Sequence, residues 1–288
     1  MKKINFYDVR CKKADSGFLI DNGETSILYD SGFGFTGYDL AENVRKILGK
    51  RKLDYIFLTH SHYDHVLGSA YVLRKYPDAK VVAGTYASEI FQRDGAIKTM
   101  KELDRKYAAS CGVTEYEFLG NELRSDISVR DGDIIQAGEM QFEVLALPGH
   151  TKCSIGFYCR ENKFFLSSET LGVYDGESII LPSYLVSYSS AIKSIERVSK
   201  LKMENILMPH LGIINREQTV FFLENMKSAS EKMAQDILQS IAEKKSNKEI
   251  INSYKQKYWH NYIKEIYPED ALELNTNIMI DLIRKELM

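Results

Sequence analysis

The sequence predicts a layered α+β fold followed by a C-terminal helical extension. Three observations predict it. Short apolar runs bounded by Gly, Asn and Asp turns recur from residue 4 to residue 212. Helical periods are interleaved with these runs, which indicates layers of helix and sheet. After Arg216 the strand signals stop and apolar residues recur at helical spacing.

Taken in order, INFYDVR alternates apolar and polar residues, as a half-buried strand does. GFLIDNG and TSILYDSG follow as strands, with turns at Asn22-Gly23 and Ser31-Gly32. Leu40, Val44, Ile47 and Leu48 give Tyr38 to Leu48 a helical period. DYIFLTH reads as a buried strand, and a helix from about Val66 to Lys75 should stop at Pro77. AKVVAGT is a further strand. Residues 86–123 read as polar and helical, with Gly112 as a helix cap. DIIQAG, MQFEVLALPG, SIGFYCR and KFFLSSE make a second run of strands, with hairpin turns at Gly138-Glu139 and Glu161-Asn162. A helix over Ala191 to Leu201 and a last strand in ENILMPHLG complete this part. The change of character divides the chain into residues 1–215 and a helical extension, 216–288. In the extension Ser246 is a candidate N-cap, and Pro268 can open the last helix.

Composition narrows the function. With 38 basic and 40 acidic residues, the chain has no charge excess for nucleic acid or an anionic membrane. No apolar run approaches the ~20 residues of a membrane span. The N-terminal MKKINFYDVRCKK lacks the apolar stretch of a secretory signal. Cys11, Cys111, Cys153 and Cys159 form no CxxC pair and read as cytoplasmic thiols. A cytoplasmic protein with a small-molecule substrate is expected.

The chain has six histidines, and three of them fall within His60-Ser61-His62-Tyr63-Asp64-His65. His150 in LPGHTKCS and His210 in LMPHLG also end predicted strands, where a sheet presents residues at one rim. Alternate residues of an extended segment point the same way, so His60 and His62 can reach one ion. Asp64 and His65 lie beyond, towards a second. Five imidazoles with Asp64 and Glu169 exceed one four-coordinate ion and suit two ions ~3.5–4 Å apart. His260, alone in the tail, reads as a surface or packing residue, and Asp30 as a residue that supports the ligands or stabilises the turn rather than a ligand. Cys153 reads as a small buried residue. Tyr184 and Tyr188 are candidates for a substrate mouth.

These residues resemble the HxHxDH pattern of the metallo-β-lactamase superfamily, with PGHT at His150, an acidic residue after a strand, and His210 before Gly212 in that family's order. The YDSGFG segment around Asp30 resembles its strand-ending Asp-x-Gly. The resemblance covers about residues 4 to 215. It implies an αββα four-layer sandwich with a dinuclear metal site at one edge of the sheets. By that resemblance His60, His62 and His150 hold the first ion, Asp64, His65 and His210 the second, and the acidic residue bridges. One departure is that Ser168-Glu169 stands where the family usually has Gly-Asp.

The chemistry implied is hydrolysis of an ester-like bond (thioester, lactone, amide or phosphodiester) by a metal-activated hydroxide, with Asp64 orienting it and shuttling its proton. Zinc is the first expectation, with iron and manganese as alternatives. PGHTKCSIGFY is similar to the matching segment of glyoxalase II-like hydrolases, which tilts the reading to thioesters. The alternative is a di-iron redox or oxygen-binding protein on the same fold. Its flavodiiron branch commonly has glutamate at the position of His62 and carries a flavodoxin domain, and this chain has neither. The apolar stripes of the C-terminal helices suit packing or a homodimer contact.

Overall fold

The computed structural model describes residues 2–288. Its elements, in order, are β1 (Asn5–Asp8), β2 (Phe18–Asp21), β3 (Ser26–Tyr29), α1 (Gly37–Leu48), β4 (Tyr55–Phe57), α2 (Tyr63–Val66), α3 (Gly68–Lys75), β5 (Lys80–Gly84), α4 (Thr85–Ile90), α5 (Asp94–Ser110), β6 (Ile127–Val129), β7 (Ile134–Ala137), β8 (Met140–Ala146), β9 (Ile155–Cys159), β10 (Phe164–Leu166), β11 (Val173–Tyr174), β12 (Ile180–Leu181), α6 (Tyr188–Val198), β13 (Asn205–Met208), β14 (Gly212–Ile214), α7 (Arg216–Ala242), α8 (Asn247–Tyr258), α9 (Asn261–Ile266) and α10 (Glu269–Leu287). The strands form two six-stranded sheets, β1–β6 and β7–β10 with β13 and β14, and a two-stranded ribbon of β11 and β12. The layered α and β composition expected from the sequence is what the chain adopts. Among the described residues no helix is long and apolar enough to cross a membrane.

Two compact units divide the chain: residues 1–145 with 157–162, and residues 146–156 with 163–288. In the first, β1, β2 and β3 run antiparallel, and β3 to β6 run parallel. β2 and β3 are buried at every position, as strands covered on both faces are. Asn22 closes the turn between them, its Oδ1 accepting from the backbone N–H of Glu24 (3.0 Å) and Thr25 (2.8 Å). Tyr29 pairs with Phe57, so the chain leaves β3 and β4 side by side at their carboxyl ends. Asp30 and the His60–His65 segment therefore start from adjacent points.

The helix after β4 begins three residues earlier than the apolar period suggests. α2 already includes Tyr63, Asp64 and His65, with His62 as its extended N-cap. This tight turn rests on backbone bonds: Ser31 N–H donates to the His65 carbonyl at 2.7 Å and Gly68 N–H to the Gly32 carbonyl at 3.2 Å. A Cβ on Gly68 would lie 1.8 Å from the Ser31 oxygen, so only glycine permits this approach.

In the second unit, β10 runs parallel to β13 with Leu166 opposite Leu207, and β13 turns back antiparallel into β14. Glu169 follows the carboxyl end of β10, and His210 that of β13. Two of the C-terminal helices open on capping boxes, at Asn215 for α7 and Ser246 for α8. Their apolar stripes make one core: Met233, Ile237, Ile250, Tyr254, Ile263, Ile280 and Ile283 are buried with Val173, Leu181, Tyr184 and Ala191. Glu286 of α10 ties the tail to α6, accepting from the backbone N–H of Tyr188 (3.1 Å) and Ser189 (2.9 Å).

Some elements departed from the sequence reading. β6, β11, β12 and β14 have two or three residues each, too few for a period to show. α4 lies where a single long helical segment was expected. α6 starts at Tyr188, not Ala191, because Ser187 caps it by accepting from Ser190 N–H.

Gly68→Ala is expected to cost about 3 kcal/mol, since the new methyl meets backbone and not a flexible side chain. Thermal unfolding followed by circular dichroism measures it.

Candidate metal centre

The first unit brings His60, His62, Asp64 and His65 together. The His60 and His65 rings lie 4.0 Å apart by centroid, and His60 and His62 4.6 Å. His60 and His65 are buried completely. Asp64 Oδ2 lies 3.7 Å from His65 Nε2, and its side chain is partly open at 21% exposure.

Asp30 arranges this cluster. Its Oδ2 accepts from His65 Nδ1 at 2.8 Å, from Thr59 Oγ1 at 3.0 Å and from Ser16 Oγ at 3.1 Å. Its Oδ1 accepts from the Thr59 N–H at 2.8 Å. Because a carboxylate only accepts, Nδ1 of His65 carries the proton. Thr59 gives its hydroxyl proton to Asp30, so its oxygen accepts from His60 Nδ1 at 3.0 Å. One carboxylate thus fixes two tautomers, and each ring offers Nε2 as an electron-pair donor. This is how a carboxylate beside a metal-binding imidazole acts. Asp30 adopts a left-handed backbone, φ 51°, at the strand end. Of the two roles expected for it, supporting the ligands or stabilising the turn, its side-chain bonds to His65 and Thr59 match the first.

The second unit brings His150, Glu169 and His210 together, all at most 4% exposed. Glu169 spans the two imidazoles, Oε2 lying 2.7 Å from His150 Nε2 and Oε1 2.9 Å from His210 Nε2. Burial pushes the Glu169 carboxyl up, but the charges and hydrogen bonds of His150 and His210 outweigh it and hold it well below the usual carboxylate range. His150 Nδ1 donates to the Ser183 carbonyl at 3.0 Å, and the Ser183 hydroxyl lies 2.9 Å from the same nitrogen. In the neutral ring Nε2 is then a lone pair facing a carboxylate oxygen. Two acceptors at this separation need a cation or a proton between them. The donor set in each unit, imidazole Nε2 with carboxylate oxygen, is of the kind that holds divalent zinc, iron or manganese.

Other residues fall outside these clusters. His260 stands at the N-cap position of α9 without a side-chain capping bond, and its Nε2 lies 3.1 Å from the Lys257 carbonyl. Cys153 is buried, its Sγ 3.3 Å from Thr151 Oγ1. Tyr184 does not line a substrate mouth: it is 1% exposed, locked in the core of the tail, because its loop folds under α8. Tyr188 is half-buried against its ring. Thr59 and Ser183, which set tautomers, were not singled out by the sequence. Thr59 has a visible signal, standing directly before the histidine run. Ser183 has none.

Two clusters of imidazole and carboxylate at the carboxyl ends of parallel strands, in a chain of two six-stranded sheets with helices, define a mixed α/β metalloprotein. The family model of the metallo-β-lactamase superfamily matches residues 16–210, well over half the chain, and the chain belongs to that family. Among solved structures, an archaeal metallo-β-lactamase superfamily protein, ST1585 from Sulfolobus tokodaii, shares the fold with a TM-score of 0.64 at 17% identity, covering 99% of this chain and 100% of that one. A curated relative, the acyl-coenzyme A thioesterase MBLAC2 of Homo sapiens, is 24% identical over 215 residues, 70% of this chain and 74% of its own. A hydroxyacylglutathione hydrolase of Francisella tularensis is 26% identical over 149 residues, 50% of this chain and 46% of its own.

Asp30→Ala is expected to weaken metal binding roughly 10- to 100-fold, because His60 and His65 lose their tautomer control. Competition with a chromophoric chelator reads this directly. His62→Ala and Glu169→Ala are expected to lower the metal found per chain by elemental mass spectrometry. Wild-type metal content in both would remove them from the ligand set.

Proposed function

We propose that this chain, a hydrolase of the metallo-β-lactamase fold, cleaves thioesters of small molecules. In this reading, which carries over the ligand order of the family, His60, His62 and His150 hold one divalent ion, Asp64, His65 and His210 hold a second, and Glu169 serves both. Zinc is the expected metal. The observation that carries the reading is the Glu169 carboxylate, which turns one oxygen to His150 and the other to His210, a ligand from each set. Glutamate in place of the family's usual aspartate has the reach for both.

When bound, the two ions supply an acidified water near neutral pH and polarise the carbonyl under attack. The chain's own residues do the rest. Asp64, partly open while His60 and His65 are buried, takes the proton of the attacking water on its carboxylate. Addition of that oxygen to the carbonyl carbon is followed by cleavage of the carbon–sulfur bond. Asp64 then returns the proton to the departing sulfur, leaving a carboxylic acid and a thiol. No serine or cysteine nucleophile takes part, and Cys153 stays buried beside Thr151.

The choice of thioester over other ester-like bonds rests on two supports. One is the similarity to relatives whose names denote hydrolysis of an acyl–sulfur bond, an acyl-coenzyme A thioesterase and a hydroxyacylglutathione hydrolase. The other is the near-balanced charge, 38 basic against 40 acidic residues, which argues against a nucleic-acid phosphodiester as the substrate.

A panel of acyl-coenzyme A, acylglutathione, lactone and phosphodiester substrates tests this, with thiol release followed by a colorimetric reagent. Turnover of at least one thioester is expected, falling by about 100-fold or more in Asp64→Asn. Turnover of the phosphodiester alone would sink the thioester reading. Elemental analysis of protein purified without added metal should find close to two zinc per chain. Two iron, with an absorption band that responds to oxygen, would instead favour redox chemistry.

A further inference from the structure

The C-terminal helices reach the His210 loop and the segment that holds the His150 ring, each through one tyrosine hydroxyl. Tyr262 of α9 donates to the His210 carbonyl at 2.6 Å. Tyr254 of α8, itself 5% exposed, donates to the Pro182 carbonyl at 3.0 Å. Pro182 directly precedes Ser183, whose carbonyl and hydroxyl hold His150 Nδ1. The two imidazoles that clasp Glu169 are therefore each braced from the tail.

The brace on His210 acts at a strained point. Met208 pairs with Gly212, so residues 209–211 form the whole loop of the β13–β14 hairpin. His210 sits in it with φ 61°, a left-handed conformation that is unfavourable for a residue with a Cβ. Such a conformation persists only where its surroundings hold it. The imidazole end of His210 is held by Glu169, and the carbonyl end by Tyr262. α9 can supply a fixed hydroxyl because Ile263 and Ile266 of the same helix are buried at 0% and 3% exposure.

We propose that Tyr262 and Tyr254 are positioning residues of the metal centre, and that the C-terminal helical extension is the frame that sets its metal affinity. This rests on the ligand assignment above. Tyr262 holds the left-handed turn so that His210 Nε2 meets the metal position. Tyr254 holds the 182–183 segment so that His150 keeps its Nδ1–H tautomer. Neither touches the reacting atoms.

Tyr262→Phe and Tyr254→Phe each remove one oxygen and keep the ring packing. Zinc affinity is read by competition with a chromophoric chelator, and the melting of the metal-free chain by circular dichroism. Tyr262→Phe is expected to bind zinc about 10-fold more weakly, Tyr254→Phe to move the same way, and both metal-free melts to stay within about 4 °C of the parent, as loss of a single hydrogen bond predicts. Unchanged zinc affinity in both variants, with or without a lowered melt, would show that the hydroxyls serve folding alone and would overturn the proposal. A parent chain that takes up no zinc, iron or manganese would overturn the ligand assignment itself. A zinc-binding parent matched in affinity by both variants would overturn this inference and leave that assignment standing.

Discussion

An imidazole binds a metal through a lone pair, and which nitrogen keeps that pair is decided by the hydrogen bond on the other. The candidate centre depends on this constraint. His65 gives its Nδ1 proton to Asp30, His60 gives its own to Thr59, and His150 gives its own to the Ser183 carbonyl. Three rings are thereby committed to Nε2. The partners are themselves locked: Thr59 is held by the same Asp30 carboxylate, and Ser183 follows a carbonyl held by Tyr254. Were any ring free to flip, burial would leave a polar N–H facing a cation.

The fold meets the constraint by one device used in each unit. Where two parallel strands end side by side, the residues just beyond them are close together and free of the sheet's own hydrogen bonds. Asp30 and His60 follow β3 and β4; Glu169 and His210 follow β10 and β13. In each pair the chain needs a sharp turn, and in each one member takes a left-handed backbone without being glycine, Asp30 at φ 51° and His210 at φ 61°. Both are residue types that tolerate that region better than most. Both are also held by strong bonds, Asp30 through four donors and His210 through Glu169 and Tyr262.

Much of this was legible in the sequence, and the rest was hidden for physical reasons. His60, His62, Asp64 and His65 stand so close along the chain that their common purpose shows without a structure. His150, Glu169 and His210 could be placed because each follows an apolar run and because their order matches a known pattern. The tail was readable as helix from its period, and Ser246 as its cap from residue type alone. What could not be read were contacts made by the backbone. Ser183 acts through a carbonyl every residue has, and Tyr262 is one of 18 tyrosines, marked only by where α9 places it. Tyr184 misled because a tyrosine in a loop beside a site resembles a lining residue, whereas the packing of α8 and α9 over that loop buries it.

Glu169 carries the argument furthest. A buried carboxylate within 3 Å of two imidazoles is stable only if positive charge is shared among the three groups. Protons can supply that charge, by making the imidazoles cationic, or a metal can supply it while leaving them neutral. His150 already spends its Nδ1 proton on Ser183, so neutralising Glu169 with protons requires a second proton on that ring in a buried setting. A divalent ion removes the requirement and uses the lone pair that the tautomer leaves. The arrangement is therefore easier to sustain with metal than without, and metal and protons compete for the same atoms. Aspartate, one methylene shorter, would need the two imidazoles drawn closer together for both oxygens to reach them. The longer side chain matches the spacing that the carboxyl ends of β10 and β13 provide.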